Sequence, residues 1–171
     1  MNTPIRAIFA TEHSGGMGQG DQLPWPHLSQ DLKNFSSLTR NQVVIMGRKT
    51  WDSNMPTPLP KRINVVITSR AITDHSDVIT VSGEPADIIN QLRNNEITAN
   101  LPWWIIGGAE VLRAWLPYCE SVWFTQIHAS FPSDVFLTTD QWQSQFILDE
   151  DSIRRVAENN ISYTITNWNR K

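Results

Sequence analysis

Residues 23–35, LPWPHLSQDLKNF, constrain the chain more than any other stretch. Prolines at 24 and 26 stiffen the backbone around Trp25 and disfavour helix until the second has passed. From Ser29, a residue type that caps helices well, the spacing turns helical. It puts Leu28, Leu32, Phe35 and Leu38 on one apolar stripe expected to be buried. Asp31 falls in that same stripe, between Leu28 and Phe35. A carboxylate there must find a partner or take up a proton, because an isolated buried charge is too costly to keep. Taken alone, it is either a structural acid suited to a helix's first turn or a functional acid in a cleft.

Apolar runs and helical patterns alternate along the rest of the chain. Residues 5–10 read as a buried strand. The run SGGMGQGDQ after it is too glycine-rich for regular structure and reads as a mobile lid. A dinucleotide fingerprint would need a helix directly after those glycines, and a proline-bounded turn comes instead. Strand 43–46 runs into Gly47, Arg48, Lys49 and Thr50, where helix-start N–H groups and basic side chains could face an anion. MPTPLPKR, residues 55–62, reads as a stiff extended loop ending in Arg62, which is either a guanidinium that the loop can hold at a fixed place, as carboxylate recognition requires, or an ordinary surface arginine. Strand 63–68 closes on Ser69 and Arg70, a second small cluster suited to phosphate, before a strand over 78–81 and a helix over 85–92.

WWIIGGAEVLRAW, residues 103–115, reads as a buried strand, a turn at Gly107 and Gly108, and a helix. Paired glycines there let a ligand approach the backbone. Strand 121–127 sets Thr125 on the face opposite Phe124, and a strand pair is expected near Phe146 and over 162–168. Strands alternating with helices through short loops predict an α/β fold with one mainly parallel sheet, covered on both faces, and ligands at the carboxyl ends of its strands.

At 171 residues a single domain over 1–171 is expected. No apolar run approaches the roughly 20 residues of a membrane helix, so no membrane partner is expected and a cytoplasmic location is the default. A net charge of −3 without a basic block argues against nucleic acid. One cysteine and four scattered histidines leave no internal disulfide and no metal-ligand spacing.

Taken in order, Ile8 to Ala10, Gly16 to Gly18, LPW at 23–25, Asp31 with Leu32 and Phe35, MGRKTW at 46–51, Ser53, PLPKR at 58–62, IIGGAE at 105–110 and Thr125 resemble the dihydrofolate reductase family. The resemblance implies an eight-stranded, mainly parallel sheet and a monomer. It implies reduction of 7,8-dihydrofolate to tetrahydrofolate by NADPH, with antifolate-type molecules as further ligands. By resemblance, Asp31, braced by Thr125 and accompanied by Leu23 and Trp25, forms the catalytic group. Ile8, Phe9, Leu32, Phe35, Leu59 and Ile106 wall the substrate, and Arg62 clamps its glutamate carboxylate. The cofactor falls to Ala10, Gly18, Gly47, Arg48, Lys49, Thr50, Ser69 and Arg70 on one side. On the other it meets Ile106, Gly107, Gly108, Ala109, Glu110 and Val111. A reductase of the same fold acting on the riboflavin-pathway pyrimidine fits less well, because that substrate offers Arg62 no glutamate.

Overall fold

In a computed structural model describing residues 2–171, the apolar runs become neighbouring strands of one sheet. The chain proceeds through β1 (Ile5–Thr11), β2 (Gly16–Gly18), α1 (Ser29–Thr39), β3 (Val43–Gly47), α2 (Arg48–Trp51), β4 (Ile63–Ile67) and β5 (Ile79–Val81). It continues through α3 (Pro85–Arg93), β6 (Trp103–Gly107), α4 (Ala109–Trp115), β7 (Ser121–Ile127), β8 (Val135–Phe136), β9 (Phe146–Glu158) and β10 (Ile161–Arg170). Eight strands lie in the order β5-β4-β3-β6-β1-β7-β10-β9, with β2 and β8 forming a separate ribbon. β5 through β7 pair in parallel, and β10 and β9 close the sheet antiparallel. The expected α/β fold and mainly parallel eight-stranded sheet are borne out.

Parallel strands buried on both faces need apolar residues at every position, which Val43, Val44, Ile45 and Met46 supply at 0 % exposure. One face packs against α3 and α4 through a continuous core that includes Phe9, Ile105, Leu112, Phe124 and Trp142. On the other face the core is divided. Ile8, Val44, Met46, Trp51, Leu59 and Trp104 form one cluster, and Trp25, Leu28, Ile127, Tyr163 and Ile165 form another. Half-buried Trp123 packs against both.

Three local expectations are corrected. Ser29 is not the N-cap: Leu28 holds that position without capping, and Ser29 is the first helical residue. The anionic partner comes from far along the chain. The Glu158 carboxylate accepts from the Ser29 N–H and hydroxyl, both at 2.6 Å, and from the Gln30 N–H at 3.2 Å. It is delivered by the β9–β10 hairpin, whose turn residues Asn159 and Asn160 have φ of 54° and 61°, as a twist-matched two-residue turn requires.

The glycine run is not structureless, because Gly16–Gly18 pairs as β2 with β8. A Cβ on Gly16 would lie 2.1 Å from the Ser133 hydroxyl oxygen, so the close approach of the two segments requires glycine. The α1 stripe is not buried as expected. Leu28 is, but Phe35 and Leu38 are only half-covered, and Leu32 is 42 % exposed.

Candidate active site

A helix whose apolar stripe is left half-open must face either solvent or a ligand, and here it overhangs the division between the two core clusters. Asp31 stands at that place. Its carboxylate accepts a hydrogen bond from the Thr125 hydroxyl at 2.6 Å, which joins α1 to β7. Burial pushes the Asp31 carboxyl above its ordinary range. The Thr125 bond opposes that shift, the Glu158 charge adds to it, and Arg154 opposes it. The result is a carboxyl that holds its proton more readily than usual beside an apolar cleft. Leu23, Trp25, Pro26, His27, Leu28, Asp31 and Leu32 line one end of that cleft.

Of the expected substrate residues, Leu32 lines that end with Asp31, and four others gather in the first core cluster. Ile8 and Leu59 are buried in the first cluster, with Phe35 and Ile106 packed against it, so α1, β1, β6 and the proline-rich loop contribute to one wall. Arg62 lies over the Phe35 ring at 5.9 Å. Its Nε donates to the Thr39 hydroxyl at 3.0 Å, Nη1 to the Pro60 carbonyl at 2.7 Å, and Nη2 to the Ser36 carbonyl and hydroxyl at 3.2 and 3.1 Å. The guanidinium is thus oriented by the end of α1 itself.

Phe9 is the exception. Strand alternation turns its side chain to the opposite face, where it packs on Phe124 and Trp142 at ring distances of 5.4 and 5.6 Å. Only its backbone remains for a ligand on the Asp31 side. Trp25 is buried, whereas Leu23 is 55 % exposed at the cleft mouth.

The second group gathers at the carboxyl ends of β3, β4 and β6. At Gly47 a Cβ would meet a Val111 methyl at 2.9 Å, so a larger residue would have to push that side chain aside. Gly107, at φ 134°, is joined to Gly108 by a cis peptide. A Cβ on either would find only the Thr50 hydroxyl within 4 Å among the described residues, at 3.6 Å, so the backbone is open to close approach. Arg48 is half-buried; Lys49, Ser69, Arg70 and Glu110 are exposed; Ala109 is buried. Ala10 packs against the second cluster, and Gly18 lies on β2 opposite Val135 of β8, so neither joins this group. Open glycine backbone beside a hydroxyl and three cationic side chains fits an anionic dinucleotide.

Sequence reasoning missed several residues. Glu12, fully buried, accepts from the N–H groups of Ser14, Gly16 and Phe131 at 2.8, 2.7 and 3.2 Å and from the Ser14 hydroxyl. Burial pushes its carboxyl up, but those bonds outweigh it and the net shift is downward. Asp134 accepts from the Gly20 N–H at 2.9 Å, and Asn159 donates to the His27 carbonyl at 2.9 Å. These contacts tie the glycine segment and the LPW loop to distant parts of the chain, and no local spacing announces them.

A family model described as dihydrofolate reductase matches residues 4–170. The chain is 37% identical over 158 residues to a dihydrofolate reductase of Haemophilus influenzae, covering 90% of this chain and 89% of that one. It is 28% identical over 163 residues to the Lactococcus lactis dihydrofolate reductase, covering 95% and 94%. It is 33% identical over 135 residues to that of Mycobacterium tuberculosis, covering 77% and 76%.

Proposed function

Because the chain belongs to the dihydrofolate reductase family and reduces dihydrofolate to tetrahydrofolate, we propose that Asp31 is the acid that promotes this reduction and that NADPH is the reductant. NADPH supplies the hydride that pterin C6 accepts. The chain's own contribution is to make the pterin willing to accept it. Asp31 takes hydrogen bonds from the pterin 2-amino group and N3, and its charge favours the ring protonated at N5. A carboxylate on the pyrimidine edge does not reach N5, so water carries that proton. Thr125 holds Asp31 in place. Ile8, Leu32, Phe35, Leu59 and Ile106 exclude solvent from the pterin and aminobenzoyl rings, and Arg62 receives the glutamate α-carboxylate. Arg48, Lys49, Thr50, Ser69 and Arg70 hold the cofactor phosphates. Gly107 and Gly108 let its nicotinamide half approach the backbone.

The observation that carries this reading is the Asp31–Thr125 bond of 2.6 Å, set where the core of one sheet face is divided. The test is loss of NADPH absorbance with and without dihydrofolate in wild type and Asp31→Asn. The variant is expected to lose turnover by at least about a hundredfold at neutral pH, the scale of removing one preorganised electrostatic stabiliser, while binding NADPH nearly as before. Unchanged turnover removes Asp31 from the chemistry.

A further inference from the structure

We infer that Asp52 sets how strongly this enzyme separates a dinucleotide bearing a ribose 2′-phosphate from one that lacks it, by competing with that phosphate for Arg48 and Arg70. The inference rests on the reading that those two arginines belong to the cofactor site.

Asp52 follows α2 directly, one helical turn after Arg48. The Arg48 Nε donates to both of its carboxylate oxygens, at 3.2 and 3.1 Å. Arg70, at the end of the neighbouring strand, brings Nη2 to 3.8 Å from the same carboxylate. The second arm of Arg48 reaches across the same gap, Nη1 donating to the Thr68 hydroxyl at 3.5 Å and the Arg70 carbonyl at 3.4 Å. One carboxylate thus sits between two guanidiniums carried by different elements, in the position an anion bound by both would take.

Two facts separate this acid from an ordinary surface partner. Its side chain is 50 % exposed and that of Arg70 is 70 % exposed, so the pair contributes little to the fold. Carboxylate and phosphate use the same fork of guanidinium donors, so one displaces the other. Of the three cationic charges at Arg48, Lys49 and Arg70, Asp52 offsets one, and a phosphate carrying roughly two negative charges feels both that offset and direct repulsion. A dinucleotide with a free 2′-hydroxyl carries only the pyrophosphate and puts no anion between the two guanidiniums, so it feels Asp52 far less. Asp52 therefore acts on discrimination between the two cofactors.

The experiment measures Kd for NADPH and for NADH by quenching of tryptophan fluorescence, and KM for each, in wild type, Asp52→Asn and Arg70→Gln. Asp52→Asn keeps the shape and removes the charge. Its NADPH Kd is expected to fall about fivefold with NADH held within about twofold, and the gain is expected to shrink at high salt. Arg70→Gln is expected to weaken NADPH selectively. If Arg70→Gln weakens NADPH while Asp52→Asn leaves the NADPH-to-NADH ratio unchanged, or weakens NADPH by freeing Arg48 to wander, the competition is overturned and the cofactor assignment stands. If Arg70→Gln leaves NADPH binding untouched, the cofactor assignment fails and the inference falls with it.

Discussion

Asp31 is held at a cost, and the cost is measurable. Its folded carboxyl binds a proton at higher pH than the ordinary value of 3.8 because burial outweighs the Thr125 bond. Between those two values the native chain holds more protons than the unfolded one. Stability therefore falls as pH rises through that window and stays lower above it. Asp31→Asn is expected to melt above wild type at pH 7, with the difference vanishing below the unfolded value, in calorimetry at the two pH values. Gain of stability with loss of turnover separates a strained functional acid from a structural one. Arg62→Leu is expected to weaken folate binding by about tenfold or more while sparing a pterin without the glutamate, since the charge-assisted contact is lost only in the first; equal losses would contradict the clamp. Asp31 stood out because a carboxylate in an apolar stripe is anomalous, but the stripe alone suited a structural acid equally, and only the other motifs in their order pointed to a functional one. The side-chain direction of Phe9 was not, since a buried run such as residues 5–10 has no polar alternation to say which face each residue takes.

Among elements, the expected strands and helices of the parallel half are present because each is a local pattern: an apolar run, a glycine, a helical spacing. The parts that position the cleft are non-local. Nothing near Ser29 signals that Glu158 serves the helix start, and the strand expected near Phe146 is present as β9, though the charged residues of FILDEDSIRRVAE mask how far it runs. Hydrogen bonds from Ser29 hold the Glu158 carboxyl at about 2, below its ordinary 4.5, and Tyr163 adds another at 2.8 Å. A lowered carboxyl contributes stability that is present above the ordinary value and lost as pH falls toward the folded one. Glu158→Gln is accordingly expected to melt below wild type at pH 7, with the gap closing between pH 4.5 and about 2 in acid titrations followed by circular dichroism. Gly16→Ala is expected to cost about 1–3 kcal/mol in urea unfolding, because its methyl group would overlap Ser133 and part β2 from β8.

Over the whole molecule, the divided core means that a bound ligand covers apolar surface the fold leaves open on one face of the sheet. The single thiol reports on this. Cys119 is fully buried, its Sγ lies 3.4 Å from the Trp115 carbonyl, and burial pushes it up to about 12. Native protein is therefore expected to react with a disulfide reagent only through opening. NADPH plus a folate analogue should slow the reaction in proportion to their saturation, followed as thiolate release; a rate indifferent to both ligands would show that Cys119 is exposed by a local motion instead. β10 has a different consequence. It lies inside the sheet between β7 and β9, and its hairpin reaches back to the start of α1. Synthesis makes α1 early and the hairpin late, so on the ribosome the first N–H groups of α1 must wait, without their Glu158 partner, until the hairpin has cleared the exit tunnel.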